Sequence, residues 1–222
     1  MSKDYSKVVI AIDGPAGAGK STVSKALAKE LGLSYLDTGA MYRCLALKAK
    51  RLNLSKEDEA AVSALMESTE ITFGHGDPQP VFLDSEEVTS LIRTAEISEF
   101  ASSISAHSGV RKALVGRQQE LVASGGVVLE GRDATTVIAP NAKVKVFLTA
   151  SLEERAKRRR LEFEQKGENG DFEKVRQEIE NRDHRDITRN DSPLRVAPDA
   201  VIIESAGVPV AEVVSKIKSL LD

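Results

Sequence analysis

The segment Gly14-Pro-Ala-Gly-Ala-Gly-Lys-Ser21 fits the pattern GxxxxGK[ST], and it narrows the possible folds of this chain more than any other feature. A loop of this kind needs a buried strand before it and a helix after it. Only then do successive backbone N–H groups turn inward, at a helix N-terminus, toward phosphate oxygens. Both flanks are present. Lys7–Asp13 (KVVIAID) is a short run rich in Val and Ile, and KSTVSKALAKELG carries apolar residues at three-to-four spacing up to a glycine stop at Gly32. Glycines at 14, 17 and 19 give the backbone its freedom, Lys20 can reach the β and γ phosphates, and the Ser21 hydroxyl can hold Mg²⁺. A triphosphate site over Gly14, Pro15, Ala16, Gly17, Ala18, Gly19, Lys20, Ser21 and Thr22 follows.

Four more apolar runs of strand length recur along the chain: Leu33–Asp37, Gly126–Gly131, Val144–Ala150 and Ala200–Ala206. Helical patterns such as VRKALVGRQQELVASGG and VPVAEVVSKIKSLLD separate them. This alternation predicts an α/β fold, a five-stranded parallel sheet flanked by helices on both faces. Two segments break it. Between Thr38 and about Ser108, two strand-like runs flank a Gly/Asp/Pro turn cluster, which predicts a small antiparallel excursion. The segment 153–190 is densely charged and poor in aliphatic residues, and is expected to project as a helical flap. The expected organisation is one core (1–37, 109–152 and 191–222), an insert (38–108) and a lid (153–190).

The net charge of −3 disfavours bulk nucleic-acid binding, which usually requires a basic surplus. No window approaches the roughly 18 apolar residues of a membrane span, and the N-terminal run is too short for a signal peptide. Cys44 is the single cysteine, so no internal disulfide can form; a cytoplasmic monomer is expected. Cys44 sits in an apolar helical pattern and reads as a packed small side chain, and His75, His107 and His184 lack zinc spacing. In SKEDEA, Ser55 reads as the N-cap of a helix with acids in its first turn.

A phosphate loop alone does not separate a kinase from a switch or a motor. No NKxD-like base-reading stretch of a GTPase is visible, and no long motor apparatus follows. Glu130 closes an apolar strand, where an acid can hold water on Mg²⁺. Transfer between two polyanions needs their charge neutralised, and arginine's rigid fork suits phosphate. Arg43, Arg93, Arg111, Arg132, Arg158, Arg182, Arg185 and Arg189 stand where strands or helices should end, Arg132 most tellingly, after a buried strand. The residues leave open a kinase for a small acceptor (UMP, AMP and shikimate among them), and a nucleotide-dependent switch or binding module.

The ordered segments IDGPAGAGKST, YLDTGAMYR, IRTAEIS, VRKALVGRQ, EGRDATTVIAP, KVFLTASLEERAKRR and RDHRDITR resemble the bacterial cytidylate kinases, phosphate-loop nucleoside monophosphate kinases. The resemblance spans nearly the whole chain. It implies transfer of the γ-phosphoryl group of Mg·ATP to CMP or dCMP, an enlarged monophosphate-binding insert, and a lid carrying Arg158 over ATP. It further implies that Thr38, Arg43 and Arg132 hold the CMP phosphate and that Ser102, Arg111 and Asp133 read the cytosine. Arg182 and Asp186 would hold the sugar hydroxyls and Arg189 would bridge phosphates, with Lys20, Arg132 and Arg189 catalytic and Ser21 on the metal. After GRD the family usually reads Met-Gly-Thr, whereas this chain has Ala134-Thr135-Thr136, so the turn presenting Asp133 is expected to stiffen or shift. The base assignment has its own chemistry. A carboxylate can accept from cytosine's exocyclic amine and an arginine can donate to its acceptors, and both contacts turn repulsive with uracil.

Overall fold

The computed structural model describes residues 4–76, 78–165, 167 and 170–221. Asp77 in the turn cluster, and Lys166, Glu168 and Asn169 in the charged segment, lie outside the described residues. In chain order the elements are β1 (Val9–Asp13), α1 (Lys20–Leu31), β2 (Ser34–Asp37), α2 (Thr38–Arg51), α3 (Glu59–Ala64), β3 (Ile71–Phe73), β4 (Val81–Leu83), β5 (Glu86–Glu87), α4 (Ala95–Ile104), α5 (Ser108–Val122), β6 (Val127–Gly131), β7 (Val144–Thr149), α6 (Leu152–Gln165), α7 (Phe172–Thr188), β8 (Val201–Glu204) and α8 (Val210–Ser219). They fall into two compact units, 1–36 with 119–222, and 37–118.

The first unit holds the predicted five-stranded sheet, in the order β2-β6-β1-β7-β8. β1 lies between β6 and β7 with parallel register, Ile12 opposite Glu130 and Val146. Every residue of β6 is buried, as a central parallel strand requires, and Ile10, Ile12, Val128, Val146, Leu148, Leu27 and Ile217 pack together against α1 and α8. Gly32 stops α1 in the left-handed region, φ 66°, as its position predicts.

The charged segment folds as two helices, α6 and α7. Its ion pairs Arg159–Glu162 (2.7 Å), Arg160–Glu164 (3.1 Å) and Arg176–Glu173 (3.1 Å) are solvated, and such pairs contribute about 0–1 kcal/mol each. Burial is what seats the hairpin. Ala156, Val175 and Ile179 pack with Ala16 of the phosphate loop, and Leu152, Phe163 and Phe172 lie against them.

The second unit is built on α2, whose Met41, Leu45 and Ala49 are buried with Ile92, Ile97, Ile104 and Leu114. Cys44 lies in the same cluster, fully buried. The antiparallel excursion is present, with one strand more than the sequence suggested: β3-β4-β5, the last two joined by a two-residue turn at Asp84 and Ser85. Both turn residues take positive φ, 48° and 70°, the backbone such a short hairpin demands. Ser55 does not cap α3. Asp58 does, accepting from Ala61 N at 3.0 Å, while Ser55 Oγ pairs with Glu57 beside it. Only Lys56 and Glu57 separate the two candidates, and the three-residue spacing from the capping oxygen to the donating N–H of Ala61 selects the later one.

Candidate active site

In the phosphate loop, Gly14, Gly17 and Gly19 take φ of 151°, 77° and 87°. A Cβ on Gly14 would stand 1.9 Å from the Leu148 carbonyl oxygen, so the first glycine is dictated by the neighbouring strand as well as by its dihedral. Gly19 caps α1 without a side chain, and the first bond of that helix runs from Val23 N–H to the Gly19 carbonyl at 3.1 Å. A helix N-terminus opened by such a glycine-rich turn is the arrangement that attracts an anion.

Lys20 is buried and donates to the carbonyls of Gly14 (2.8 Å) and Pro15 (2.7 Å). Burial pushes its ammonium down to about 7; the cations of Arg132 and Arg182 push the same way, and the carboxylates of Glu130 and Asp13 oppose them. A neutral amine still carries two N–H donors, so both bonds survive loss of the proton.

Asp13, the last residue of β1, is fully buried and accepts three hydrogen bonds, from Ala134 N (2.9 Å), Thr135 N (2.8 Å) and Thr135 Oγ1 (2.6 Å). Burial raises its carboxyl pKa against these donors. The bonds pin the turn after Asp133 to the strand that enters the phosphate loop. That turn is a single π turn, with Ile138 N bonding Asp133 O at 3.1 Å and Ala139 N bonding Ala134 O at 2.9 Å. Thr135 is not among the described residues with positive φ, so threonine sits there without backbone strain, and its hydroxyl adds a bond that glycine could not make.

Three arginines of the first unit converge on one carboxylate. Arg132 Nε donates to Asp186 Oδ2 at 2.8 Å and Arg189 Nη1 reaches Oδ1 at 3.2 Å, with Arg182 near enough to act on the same charge. Arg158 lies beside the loop and donates to the Ser205 hydroxyl (3.0 Å) and carbonyl (2.7 Å). Ser205 in turn bonds the Ala18 carbonyl at 3.0 Å. Tyr35 donates to Glu130, fixing the acid that closes β6.

In the second unit, Asp37 caps α2 by accepting from Ala40 N at 3.0 Å and pairs with Arg43 at 2.7 Å. Burial would raise its carboxyl, but Arg43 and Arg93 outweigh burial and hold it below the ordinary value. Thr38, at the start of α2, is buried, and its carbonyl accepts from Gln118. Ser105 links two of the expected base readers. Its hydroxyl donates to the Ser102 carbonyl at 2.8 Å, and its carbonyl accepts from Arg111 Nε at 3.0 Å. The Arg111 guanidinium also stacks on Tyr42, 5.2 Å from the ring centre. The Ser102 hydroxyl and Arg43 Nε are buried with no hydrogen-bond partner among the described residues.

The family model described as cytidylate kinase matches residues 10–222. The chain belongs to the cytidylate kinase family. It is 48% identical over 216 residues to a cytidylate kinase of Listeria monocytogenes serovar 1/2a, covering 97% of this chain and 96% of that one. It is 49% identical over 215 residues to that of Caldicellulosiruptor bescii, covering 96% and 95%. Among solved structures, a shikimate kinase from Acinetobacter baumannii in complex with shikimate aligns with TM-score 0.50 at 17% identity, covering 98% of this chain and 94% of that one. A gluconokinase from Sinorhizobium meliloti 1021 gives TM-score 0.50 at 17% identity, covering 99% and 93%. These two likenesses concern the fold.

The family's donor nucleotide travels with a divalent cation, and the donor set here suits one that keeps most of its ligands from water and phosphate. Ser21 offers a single exposed hydroxyl at the start of α1, and among the described residues no group of three or more His, Cys, Asp or Glu side chains stands ready to hold a metal. No described helix is long and apolar enough to cross a membrane. Four residues of the site were missed by sequence reasoning: Asp13, Arg155, Asp183 and Ser205. Asp13 had a local signal, an acid closing an otherwise apolar central strand.

Proposed function

We propose that this chain, as a cytoplasmic monomer, transfers the γ-phosphoryl group of Mg·ATP directly to CMP or dCMP, giving ADP and CDP or dCDP without a phosphoenzyme. The observation that carries the reading is the phosphate loop with Lys20 folded into it, in a chain that belongs to the cytidylate kinase family. The loop from Gly14 to Thr22 would cradle the triphosphate through its N–H groups from Gly17 onward, Lys20 would leave its carbonyl partners for the β and γ phosphates, and Arg158 would lie over the nucleotide. Ser21 would hold Mg²⁺, which when bound neutralises charge on the β and γ oxygens.

The acceptor roles are those the family resemblance implies, and side-chain chemistry supports them. Thr38, Arg43 and Arg132 would take the CMP phosphate, and the buried, unpartnered Nε of Arg43 supports an anion there. Ser102, Arg111 and Asp133 would read cytosine. The orphaned Ser102 hydroxyl supports a polar ligand, since a buried hydroxyl without a partner costs free energy until one arrives. Arg182 and Asp186 would hold the sugar hydroxyls, and Arg189 would bridge the phosphates as charge develops in transfer.

The test is ADP production from Mg·ATP with CMP, dCMP, UMP, AMP and shikimate in parallel, beside a control without acceptor. Turnover confined to CMP and dCMP is the expected result. Turnover led by another acceptor would remove the cytosine-reading roles, and turnover equal to the control with every acceptor would remove the reaction.

A further inference from the structure

Four peptide carbonyls and one N–H of the phosphate loop have side-chain partners. Lys20 takes the carbonyls of Gly14 and Pro15, and Ser205 takes that of Ala18. Ala16 is held at both ends by the α6–α7 hairpin. Its N–H donates to Asp183 Oδ1 at 3.0 Å, and its carbonyl accepts from Arg155 Nη1 at 3.0 Å. Arg155 and Asp183 also pair with each other, and Arg155 Nε bonds the Ala150 carbonyl at 3.0 Å. Each of the two residues is only 8% exposed. The backbone of Arg155 presses on the next residue as well, since a Cβ on Gly17 would meet the Arg155 carbonyl oxygen at 3.2 Å.

We infer that Arg155 and Asp183 are positioning residues for ATP. They fix the peptide planes on both sides of Ala16 so that the following N–H groups point into the loop's mouth before nucleotide arrives. The physical reason is accounting. A buried N–H with a strong acceptor behind it does not turn, and the next peptide inherits its orientation. Arg155 comes from the first turn of α6 and Asp183 from the last turns of α7, so the shape of the loop is tied to the seating of the whole hairpin. Their burial separates them from the half-buried Arg158, whose guanidinium lies beside Gly19. The inference rests on the loop binding ATP as proposed above.

The experiment compares Asp183→Ala and Asp183→Asn with the native chain. Asparagine keeps an oxygen that accepts from Ala16 N–H, and alanine does not. In Asp183→Ala the KM for ATP is expected to rise about ten-fold, with KM for CMP changed by less than about two-fold, and Asp183→Asn should restore most of the ATP affinity. In nucleotide-free protein the Ala16 amide should exchange with deuterium about ten-fold faster in the alanine variant than in the asparagine variant. An unchanged KM for ATP, a parallel rise in both KM values, or equal Ala16 exchange would overturn the assignment. Should Asp183→Ala fail to fold, Arg155→Lys decides. It keeps the charge but loses the fork that spans Ala150, Ala16 and Asp183, and the same ATP-only rise is expected, its absence overturning the inference. A native chain without CMP-dependent turnover would instead overturn the reaction, and the amide measurement would still judge the clamp.

Discussion

Arg132 Nε donates to Asp186 Oδ2 at 2.8 Å, so the arginine just after β6 is held by a carboxylate from α7, 54 residues away in sequence. The same carboxylate receives Arg189. One acid thus holds and orients two cations, Arg132 and Arg189, to which the proposed function gives phosphate. Removing it should leave both cations buried without their anion. Asp186→Ala is expected to lose about 3–5 kcal/mol of stability by denaturant unfolding.

The same residue predicts an acid limb. Burial alone would raise the Asp186 carboxyl, but Arg132, Arg182 and Arg189 outweigh burial and hold it below the ordinary 3.8. A carboxylate with a lowered pKa contributes stability that is present above the unfolded value and lost as pH falls through the folded one. The Tm difference between the native chain and Asp186→Asn should therefore be full at neutral pH and shrink below about 3.8, as scanning calorimetry across pH would show.

Lys20 predicts the alkaline side. Its ammonium is pushed down to about 7 in the nucleotide-free protein, whereas a bound triphosphate favours the charged form. ATP binding must then take up a proton above that pH, and affinity should fall as pH rises from about 7 toward 9, by up to about ten-fold per unit. Titration calorimetry in two buffers of different ionisation enthalpy reads the uptake directly. Lys20→Ala should abolish the proton uptake and lower kcat by about 10²–10³-fold. The native fold should also gain stability with pH between about 7 and 10.5, because the unfolded lysine keeps its proton longer.

Two glycines should respond oppositely to alanine. Gly14→Ala drives a Cβ to 1.9 Å from the Leu148 carbonyl at a φ of 151°, and is expected to destabilise the fold by more than about 4 kcal/mol. Gly116 lies within α5, and a Cβ there meets nothing within 4 Å. Gly116→Ala should stabilise by about 0.5–1 kcal/mol with activity unchanged. Thermal melts of both variants check the pair.

Asp133→Ala should reduce the preference for CMP over UMP by about 10²-fold or more while leaving the KM for ATP near its native value. Parallel kinetics with the two monophosphates measure it. A preference that survives the substitution would remove Asp133 from the cytosine-reading set.

The sheet and the phosphate loop were legible because their signals are local: apolar runs of strand length, three glycines at fixed spacing, a helix with a glycine stop. Gly14 and Gly32 stand where such reasoning puts them. The cap of α3 was misplaced by three residues because Ser55 and Asp58 both carry capping oxygens, and only the folded backbone chooses between them. The third strand of the small sheet is two glutamates, with no apolar alternation to betray it. Asp183 and Ala16 were out of reach for a different reason. They lie 167 residues apart, and nothing in the composition of a charged helix tells which of its acids turns inward. Sequence shows that α7 has charge to spare; tertiary contact decides which charge the fold consumes.

Cys44 offers a practical handle of another sort. Burial pushes its thiol up to about 12, with Arg43 pulling the other way, and the side chain is wholly enclosed among the apolar residues of the second unit. A thiol reagent should not reach it in the native protein. As the single cysteine of the chain, it turns the rate of chemical labelling into a clock for the opening of residues 37–118 alone. Slowing of that clock by CMP, compared with ATP, would report which nucleotide that unit grips, with no residue changed.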